Sequence, residues 1–304
     1  APMGPVLVLA GAGSGKTRTI TARVAHLLSE GVSPERILLV TFTNKAAREM
    51  QERIVSFTDG KRLPWAGTFH SVGYRLLRTY GAVLGYSSNT TVMDSDDAQA
   101  LMKLCIKSIS GSGKKYPSAQ VLLSAVSFAK NAGSDLRDVI SDKYSQFEYI
   151  ADELLAMRDM YEKKKQENAV WDFDDLLLKT VGMLHSQKDI ANHLAAQFEH
   201  ILVDEYQDTN LLQAQMLDVL AGTHKNILAV GDDAQSIYSF RAAHIENILG
   251  FEKRYDGARV FRLTKNYRSS PDILSLANDV ISHNVHQYEK KLESVQSAFA
   301  KPVL

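Results

Sequence analysis

Val6-Leu7-Val8-Leu9-Ala10-Gly11-Ala12-Gly13-Ser14-Gly15-Lys16-Thr17 is an apolar run that passes straight into a glycine-rich loop ending in Gly-Lys-Thr. Residues 6–9 read as a buried strand, and residues 18–28 as a helix with apolar positions at Ile20, Val24, Leu27 and Leu28. A loop of this kind turns backbone N–H groups onto phosphate oxygens at the positive end of a helix. Gly11, Ala12, Gly13, Ser14 and Gly15 would form the cradle. Lys16 would reach the β/γ-phosphates and the Thr17 hydroxyl would ligate Mg²⁺. The strict pattern places glycine five residues before Gly15, where this chain has Ala10. A strand–turn–helix junction with incidental glycines is the bland alternative, and the strand and helix on either side argue against it.

The rest of the chain is ordinary in composition, which limits the classes it can belong to. Its 304 residues can bury a large core, and 45% hydrophobic with 23% charged residues is typical of a soluble globular protein. Basic and acidic residues balance at 35 each, so any nucleic-acid surface must be a local patch. The single cysteine, Cys105, excludes an internal disulfide and a cysteine-cluster metal site, and its apolar neighbours predict a buried helix thiol. There is no secretory signal and no membrane-spanning run, so the chain reads as cytoplasmic. Without an initiator Met, and with residues 301–304 ending abruptly, the sequence reads as a piece of a longer protein.

Strand and helix patterns alternate through residues 37–42, 44–57, 66–69 and 71–84, which predicts a parallel α/β sheet. From residue 94 to 197 the pattern is helical with almost no strand candidate, including a long helix over residues 147–167. Alternation then returns, with strands at residues 201–204, 227–230 and 259–263 and helices at 211–220 and 244–254. The expected division is an α/β core of residues 1–84 and 198–270 with an all-helical insertion at 85–197. Residues 271–304 would open a further domain.

Three more segments carry chemistry. In His200-Ile201-Leu202-Val203-Asp204-Glu205 an apolar strand ends in adjacent carboxylates, placing Asp204 to hold Mg²⁺ and Glu205 to activate water. An acidic turn is the alternative, made weaker by the Gly-Lys-Thr loop. In Gly231-Asp232-Asp233-Ala234-Gln235-Ser236-Ile237-Tyr238-Ser239-Phe240, Gln235 could bond the γ-phosphate or its attacking water. Tyr238 and Phe240 would stack on bases, unless they are core rings at i, i+2 spacing. In Asn266-Tyr267-Arg268 an arginine could neutralise charge on the γ-phosphate, although a solvated arginine is the default.

Taken in order, residues 10–17, Thr41-Phe42-Thr43-Asn44-Lys45, Gly67-Thr68-Phe69-His70, Asp204-Glu205-Tyr206-Gln207-Asp208, Gln235-Ser236-Ile237-Tyr238 and Asn266-Tyr267-Arg268 resemble superfamily 1 DNA helicases of the UvrD/Rep/PcrA type. The segment Trp171-Asp172-Phe173-Asp174-Asp175 resembles the family's return from helical insertion to core. The resemblance implies a RecA-like P-loop NTPase domain with ATP and Mg²⁺ as cofactors. Lys16, Glu205, Gln235 and Arg268 would serve catalysis, Thr17 and Asp204 the metal, and Arg18 and Tyr267 would flank the adenine. Phe42, His70, Tyr238 and Phe240 would line a single-stranded DNA track, with Thr43, Asn44 and Thr68 on its phosphates. Related enzymes often carry Trp at Phe240 and Asp at Ala234.

The activity implied is 3′→5′ unwinding of DNA, with single strands and single/double-strand junctions as substrates and DNA-repair or replication proteins as partners. Its second RecA-like domain would lie beyond Leu304, so residues 1–304 alone would bind Mg·ATP weakly and turn it over negligibly. The alternatives are a subunit of a recombination helicase–nuclease and a nucleotide- or DNA-binding module without turnover. Ser110-Gly111-Ser112-Gly113-Lys114-Lys115 imitates a phosphate loop, but it lacks the Ser/Thr after lysine and a preceding strand, and reads as a surface loop.

Overall fold

The computed structural model describes residues 3–87 and 90–297; residues 298–304, the end of the segment expected to open a further domain, lie outside them. Strand β1 (Val6–Ala10) leads into helix α1 (Lys16–Ser29), followed by β2 (Ile37–Thr41), α2 (Asn44–Phe57), β3 (Trp65–Thr68) and α3 (Phe69–Tyr80). After β4 (Thr91–Val92) come α4 (Ser95–Ile109), α5 (Ala119–Ala132), α6 (Leu136–Lys143), α7 (Ala151–Glu167), β5 (Val170–Trp171), α8 (Phe173–Ser186) and α9 (Lys188–Gln197). The chain then runs through β6 (His200–Val203), α10 (Leu211–Ala221), β7 (Ile227–Gly231), α11 (Glu246–Leu249), α12 (Phe251–Arg254) and β8 (Arg259–Leu263). It continues through β9 (Lys265–Asn266), α13 (Pro271–Ser282) and β10 (Glu293–Ser294).

Six strands form one parallel sheet in the order β3-β2-β6-β7-β1-β8. The inner strands are continuous apolar runs because both faces of the sheet are covered. Their side chains alternate between two cores. Leu7, Leu9, Leu38, Val40, Ile201 and Val203 face a cluster with α3, α8, α9 and α10, while Val6, Val8, Ala10, Ile37, Leu39 and Leu202 face α1 and α2. Every strand therefore points the same way, and every strand-to-helix loop opens on one edge.

Residues 93–161 build a separate core, with Met102, Cys105, Leu122, Val126, Leu154 and Tyr161 among its buried members. Cys105 is the buried helix thiol expected, its pKa pushed up by burial. The side chains of α8 and α9 belong instead to the cluster under the sheet. On that packing we place the return of the chain to the sheet domain near Asp172 rather than at residue 198.

A polar seam joins the two cores. The ammonium of Lys165, 2% exposed, lies 2.6 Å from Asp172, 2.8 Å from Asp175 and 2.9 Å from Glu162. Burial by itself would lower the Lys165 pKa; the carboxylates of Asp172, Asp175 and Glu162 more than offset it and hold the lysine above its usual range. Asp172, though also buried, is held down at about 2 by Lys130 and Lys165. Alongside, Asn131 donates to Asp174 at 2.7 Å and accepts from Asn210 at 2.7 Å, tying α5 to the starts of α8 and α10.

Several boundaries differ from expectation for local reasons. The third strand begins at Trp65 and ends at Thr68, whose hydroxyl accepts from the Ser71 N–H and starts α3 two residues early; α3 ends at Tyr80 in a 3₁₀ turn over Gly81–Leu84. The helix expected over residues 147–167 begins only at Ala151, after a 3₁₀ turn at Ser145–Ile150. The helix expected over residues 244–254 is two short helices. Gly250 separates them, and a Cβ there would stand 2.8 Å from the Glu246 carbonyl oxygen. Within the helical stretch, Val170–Trp171 pairs with Thr91–Val92 as a two-stranded parallel ribbon.

The seam predicts a large effect from one atom group. Lys165→Met is expected to cost about 3–5 kcal/mol, because it strands the buried Asp175 and leaves Asp172 and Glu162 to Lys130 alone. Denaturant unfolding followed by circular dichroism measures it, and an unchanged midpoint would refute the account.

Candidate functional site

The loop after β1 gains its shape from two glycines and from a segment that lies far away in sequence. Gly13 has φ 82° and Gly15 φ 96°, the left-handed region that glycine enters without a Cβ penalty. Gly15 is the N-cap of α1 and no side chain caps the helix, so its first N–H groups are turned to the loop. Asn266 grips this loop: its amide donates to the Ala12 carbonyl at 2.6 Å, and its oxygen accepts from the N–H groups of Arg268 and Ser269 at 2.9 and 2.8 Å. The Tyr267 N–H donates to the Gly13 carbonyl at 3.0 Å. A Cβ on Gly13 would stand 2.6 Å from the Arg268 Cβ, so only glycine lets the two segments meet. Arg18, Tyr267 and Arg268 are exposed beside this junction.

The ends of β6 and β7 supply the facing groups. The Lys16 ammonium lies 3.0 Å from a Glu205 carboxylate oxygen and donates to the Gln235 carbonyl oxygen at 3.3 Å. Glu205 has φ 48°, a costly conformation for a residue with a side chain. Gln207, 1% exposed, supports it: its amide nitrogen donates to Glu205 at 2.9 Å and to Asp208 at 3.2 Å, and its oxygen accepts from the Asp232 N–H at 2.9 Å. The roles of Asn266 and Gln207 have no signal in the sequence, because nothing local shows which distant backbone group an amide will meet.

The electrostatics of this corner favour a cation. Burial, then the neighbouring Glu205, push the Asp204 carboxyl up to about 7 against the pull of Lys16. The same causes raise Asp208 to about 6. Asp204 Oδ1 and Ser14 Oγ are buried with no hydrogen-bond partner. An orphaned buried carboxylate oxygen and a half-buried Thr17 hydroxyl at the start of α1 are hard oxygen donors of the kind Mg²⁺ takes. Among the described residues no group of three or more His, Cys, Asp or Glu could hold a metal by itself.

A row of rings borders the same edge. Phe42, just past β2, has its ring centroid 5.3 Å from that of Tyr238, which in turn lies 5.7 Å from Phe240. Phe240 is 66% exposed and Tyr238 half-buried, so these are not core rings. His70 lies 5.3 Å from Phe173, itself 61% exposed. Burial lowers the His70 pKa to about 4, leaving a neutral ring at physiological pH. The signal for Phe173 in the sequence is an apolar residue opening a helix between two acidic neighbours, Asp172 and Asp174. Together Phe42, His70, Phe173 and Phe240 line a groove of about 870 Å³ between the sheet edge and the helical core. Thr43 and Thr68 use their hydroxyl oxygens as N-caps of α2 and α3, and Asn44 is exposed in the first turn of α2.

Two predictions follow from this geometry. Gly13→Ala is expected to destabilise by about 1–3 kcal/mol more than Gly15→Ala. Both leave a non-glycine residue at positive φ, but only position 13 meets a neighbour. Equal unfolding midpoints would refute this. The second concerns pH. With its folded pKa raised from 3.8 to about 7, Asp204 contributes stability that is complete below pH 3.8 and lost as pH rises through 7. Asp204→Asn should therefore raise the thermal midpoint above that of the parent at pH 8 in metal-free buffer, with the gain gone at pH 4.

Residues 1–256 match the family described as UvrD/REP helicase N-terminal domain. The ATP-dependent DNA helicase PcrA of Leuconostoc citreum is 41% identical over 292 residues, covering 95% of this chain and 38% of that protein. The PcrA of Staphylococcus aureus strain Mu50 is 39% identical over 294 residues, 95% of this chain and 39% of the relative. The ATP-dependent DNA helicase UvrD1 of Mycobacterium bovis is 40% identical over 298 residues, again 95% and 38%. The chain thus spans about two fifths of the length of these relatives. With that match covering most of the chain, and with the loop, the acidic strand end and the arginine segment gathered on one sheet edge, the chain belongs to the UvrD/Rep helicase family.

Proposed function

We propose that this chain is the ATP-binding part of a DNA helicase that moves 3′→5′ on single strands by Mg²⁺-dependent ATP hydrolysis. The observation that carries the reading is the Lys16 ammonium held between Glu205 and Gln235, where the ends of β1, β6 and β7 converge. Gly11, Ala12, Gly13, Ser14 and Gly15 offer backbone N–H groups to the phosphates, and Lys16 binds the β/γ oxygens. Thr17 and Asp204 hold Mg²⁺, which when bound neutralises charge on those oxygens. Glu205 takes the proton from a water attacking the γ-phosphate in line. Gln235 has its amide nitrogen bonded to Asp232, so it presents its carbonyl oxygen to the site and accepts from that water. Arg268 neutralises charge on the γ-phosphate, while Arg18 and Tyr267 flank the base of the nucleotide.

The DNA part of the proposal rests on sheet order. The nucleotide groups follow β6, β7, β1 and β8, whereas Phe42, Thr43, Asn44, Thr68 and His70 follow β2 and β3. The loop after β7 belongs to both sets, carrying Gln235 and then Tyr238 and Phe240. Rings stack on bases of single-stranded DNA and at its junctions with duplex, while the N-termini of α2 and α3 take phosphates. Such an enzyme works on DNA in the bacterial cytosol and nucleoid, beside repair or replication proteins. No helix among the described residues is long and apolar enough to cross a membrane.

Titration with Mg·ATP and with fluorescent single-stranded DNA tests both halves. Lys16→Ala should lose ATP binding while keeping DNA binding. Tyr238→Ala or Phe240→Ala should weaken DNA by about 1–3 kcal/mol per ring and leave ATP untouched. Unchanged ATP affinity in Lys16→Ala would refute the first half, and unchanged DNA affinity with lowered stability the second.

A further inference from the structure

One buried cation near the site has no part in the proposed hydrolysis. Lys290 lies on the stretch between α13 and β10, and its side chain is 4% exposed. Its ammonium sits 2.5 Å from Asp232 Oδ1 and also pairs with Asp233. Those two carboxylates are 5% and 1% exposed, adjacent at the end of β7, and would repel one another without a shared cation. The other oxygen of Asp232, Oδ2, accepts from the Gln235 amide nitrogen, and the Gln235 carbonyl oxygen faces Lys16. A carboxylate can only accept and an ammonium can only donate, so the orientation of the Gln235 amide is dictated by its partners.

The stretch that carries Lys290 is itself fastened to the phosphate site. The Tyr288 N–H donates to Asp233 at 2.9 Å. Asn278 of α13 holds both backbone groups of Leu292, at 3.1 and 2.9 Å, and the Leu292 side chain fills the space a Cβ on Gly11 would occupy. Farther on, Ser294 donates to the Ser269 carbonyl, and Gln296 to the carbonyls of Tyr267 and Arg268. Residues 288–296 therefore act as a strap across the loops after β1, β7 and β8.

We propose that Lys290 is a positioning residue for the phosphate site: by holding Asp232 Oδ1 it fixes Oδ2 on the Gln235 amide nitrogen, and so keeps the Gln235 carbonyl oxygen turned toward Lys16. Through it, the strap after α13 sets the group that reads the γ-phosphate end of the nucleotide. Without the cation, Asp232 swings away from Asp233 and Gln235 is released. The β-phosphate is held by loop N–H groups that Gln235 does not touch, so the loss falls on ATP and not on ADP. This rests on the nucleotide reading above.

The test uses this chain with Lys290→Met, Lys290→Arg and Lys16→Ala, titrated with Mg·ATP and Mg·ADP. The Gln235 side-chain amide is followed in ¹H–¹⁵N spectra and assigned by its loss in Gln235→Glu. Lys290→Met is expected to move the Gln235 signal to the position of an exposed glutamine and to weaken ATP about tenfold relative to ADP. Lys290→Arg, which keeps the charge, should retain both. A folded Lys290→Met with an unmoved Gln235 signal and an unchanged ATP/ADP ratio overturns the inference, as does equal loss of both nucleotides with the signal retained. If Lys290→Met does not fold, Lys290→Gln carries the same comparison. The Lys16→Ala control separates the two readings. Nucleotide binding that survives it defeats the nucleotide reading alone, and the Gln235 signal then decides the role of Lys290.

Discussion

Parallel strands can be joined only by crossovers that return the chain across a face of the sheet, and that constraint organises everything else in this molecule. Because β3, β2, β6, β7, β1 and β8 all run one way, every loop that follows a strand opens on the same edge. Helices must then cover both faces, which is why the inner strands are buried at every position and nearly all apolar. The one edge left uncovered collects Gly13, Glu205, Gln235 and Arg268 from strands that are far apart in sequence. The order of the strands also sorts the groups, with Glu205, Gln235, Lys16 and Arg268 following β6, β7, β1 and β8 and the rings of Phe42 and His70 following β2 and β3. The loop after β7, between β6 and β1 in that order, carries Gln235 beside Lys16 and reaches back to Phe42 through Tyr238, so one short segment touches both sets.

Buried charge is handled at three places, each by shared ions. Lys16 offsets the carboxylates at the end of β6 only in part, so burial and Glu205 still leave Asp204 with a raised pKa. A bound cation there would relieve that residual cost. Where the helical core meets the sheet the balance is reversed: Lys165, with Lys130 beside it, supplies enough positive charge to hold Asp172 well below its ordinary value despite burial. Lys290 is intermediate, a single cation between two adjacent aspartates. Each arrangement leaves a carboxylate in a defined orientation, and in the first and third that orientation bears on Gln235 or Glu205.

Much of this was legible in the chain before it was folded. Apolar runs followed by Gly-Lys-Thr, Asp-Glu and Asp-Asp-Ala-Gln marked strands and the chemistry at their ends, because strand burial and loop chemistry are both local. The helical stretch expected from residue 94 begins there for the same reason, with Asp94 capping its own helix. What escaped notice depended on distance. Helices α8 and α9 have the same amphipathic pattern as those of the insertion, and only packing shows that they belong to the sheet. Phe173 became part of a ring-lined groove only when α8 met α3.

By itself the sequence determined the element types, the phosphate loop, the paired carboxylates and the family resemblance, since each is written in a few consecutive residues. The tertiary structure alone decided which of these face one another. Asn266 grips a loop 254 residues away, Gln207 braces Glu205 against the end of β7, and Lys290 reaches Asp232 from beyond α13. Such contacts are set by strand order and crossover path, and a short stretch of sequence carries no record of its neighbours in space.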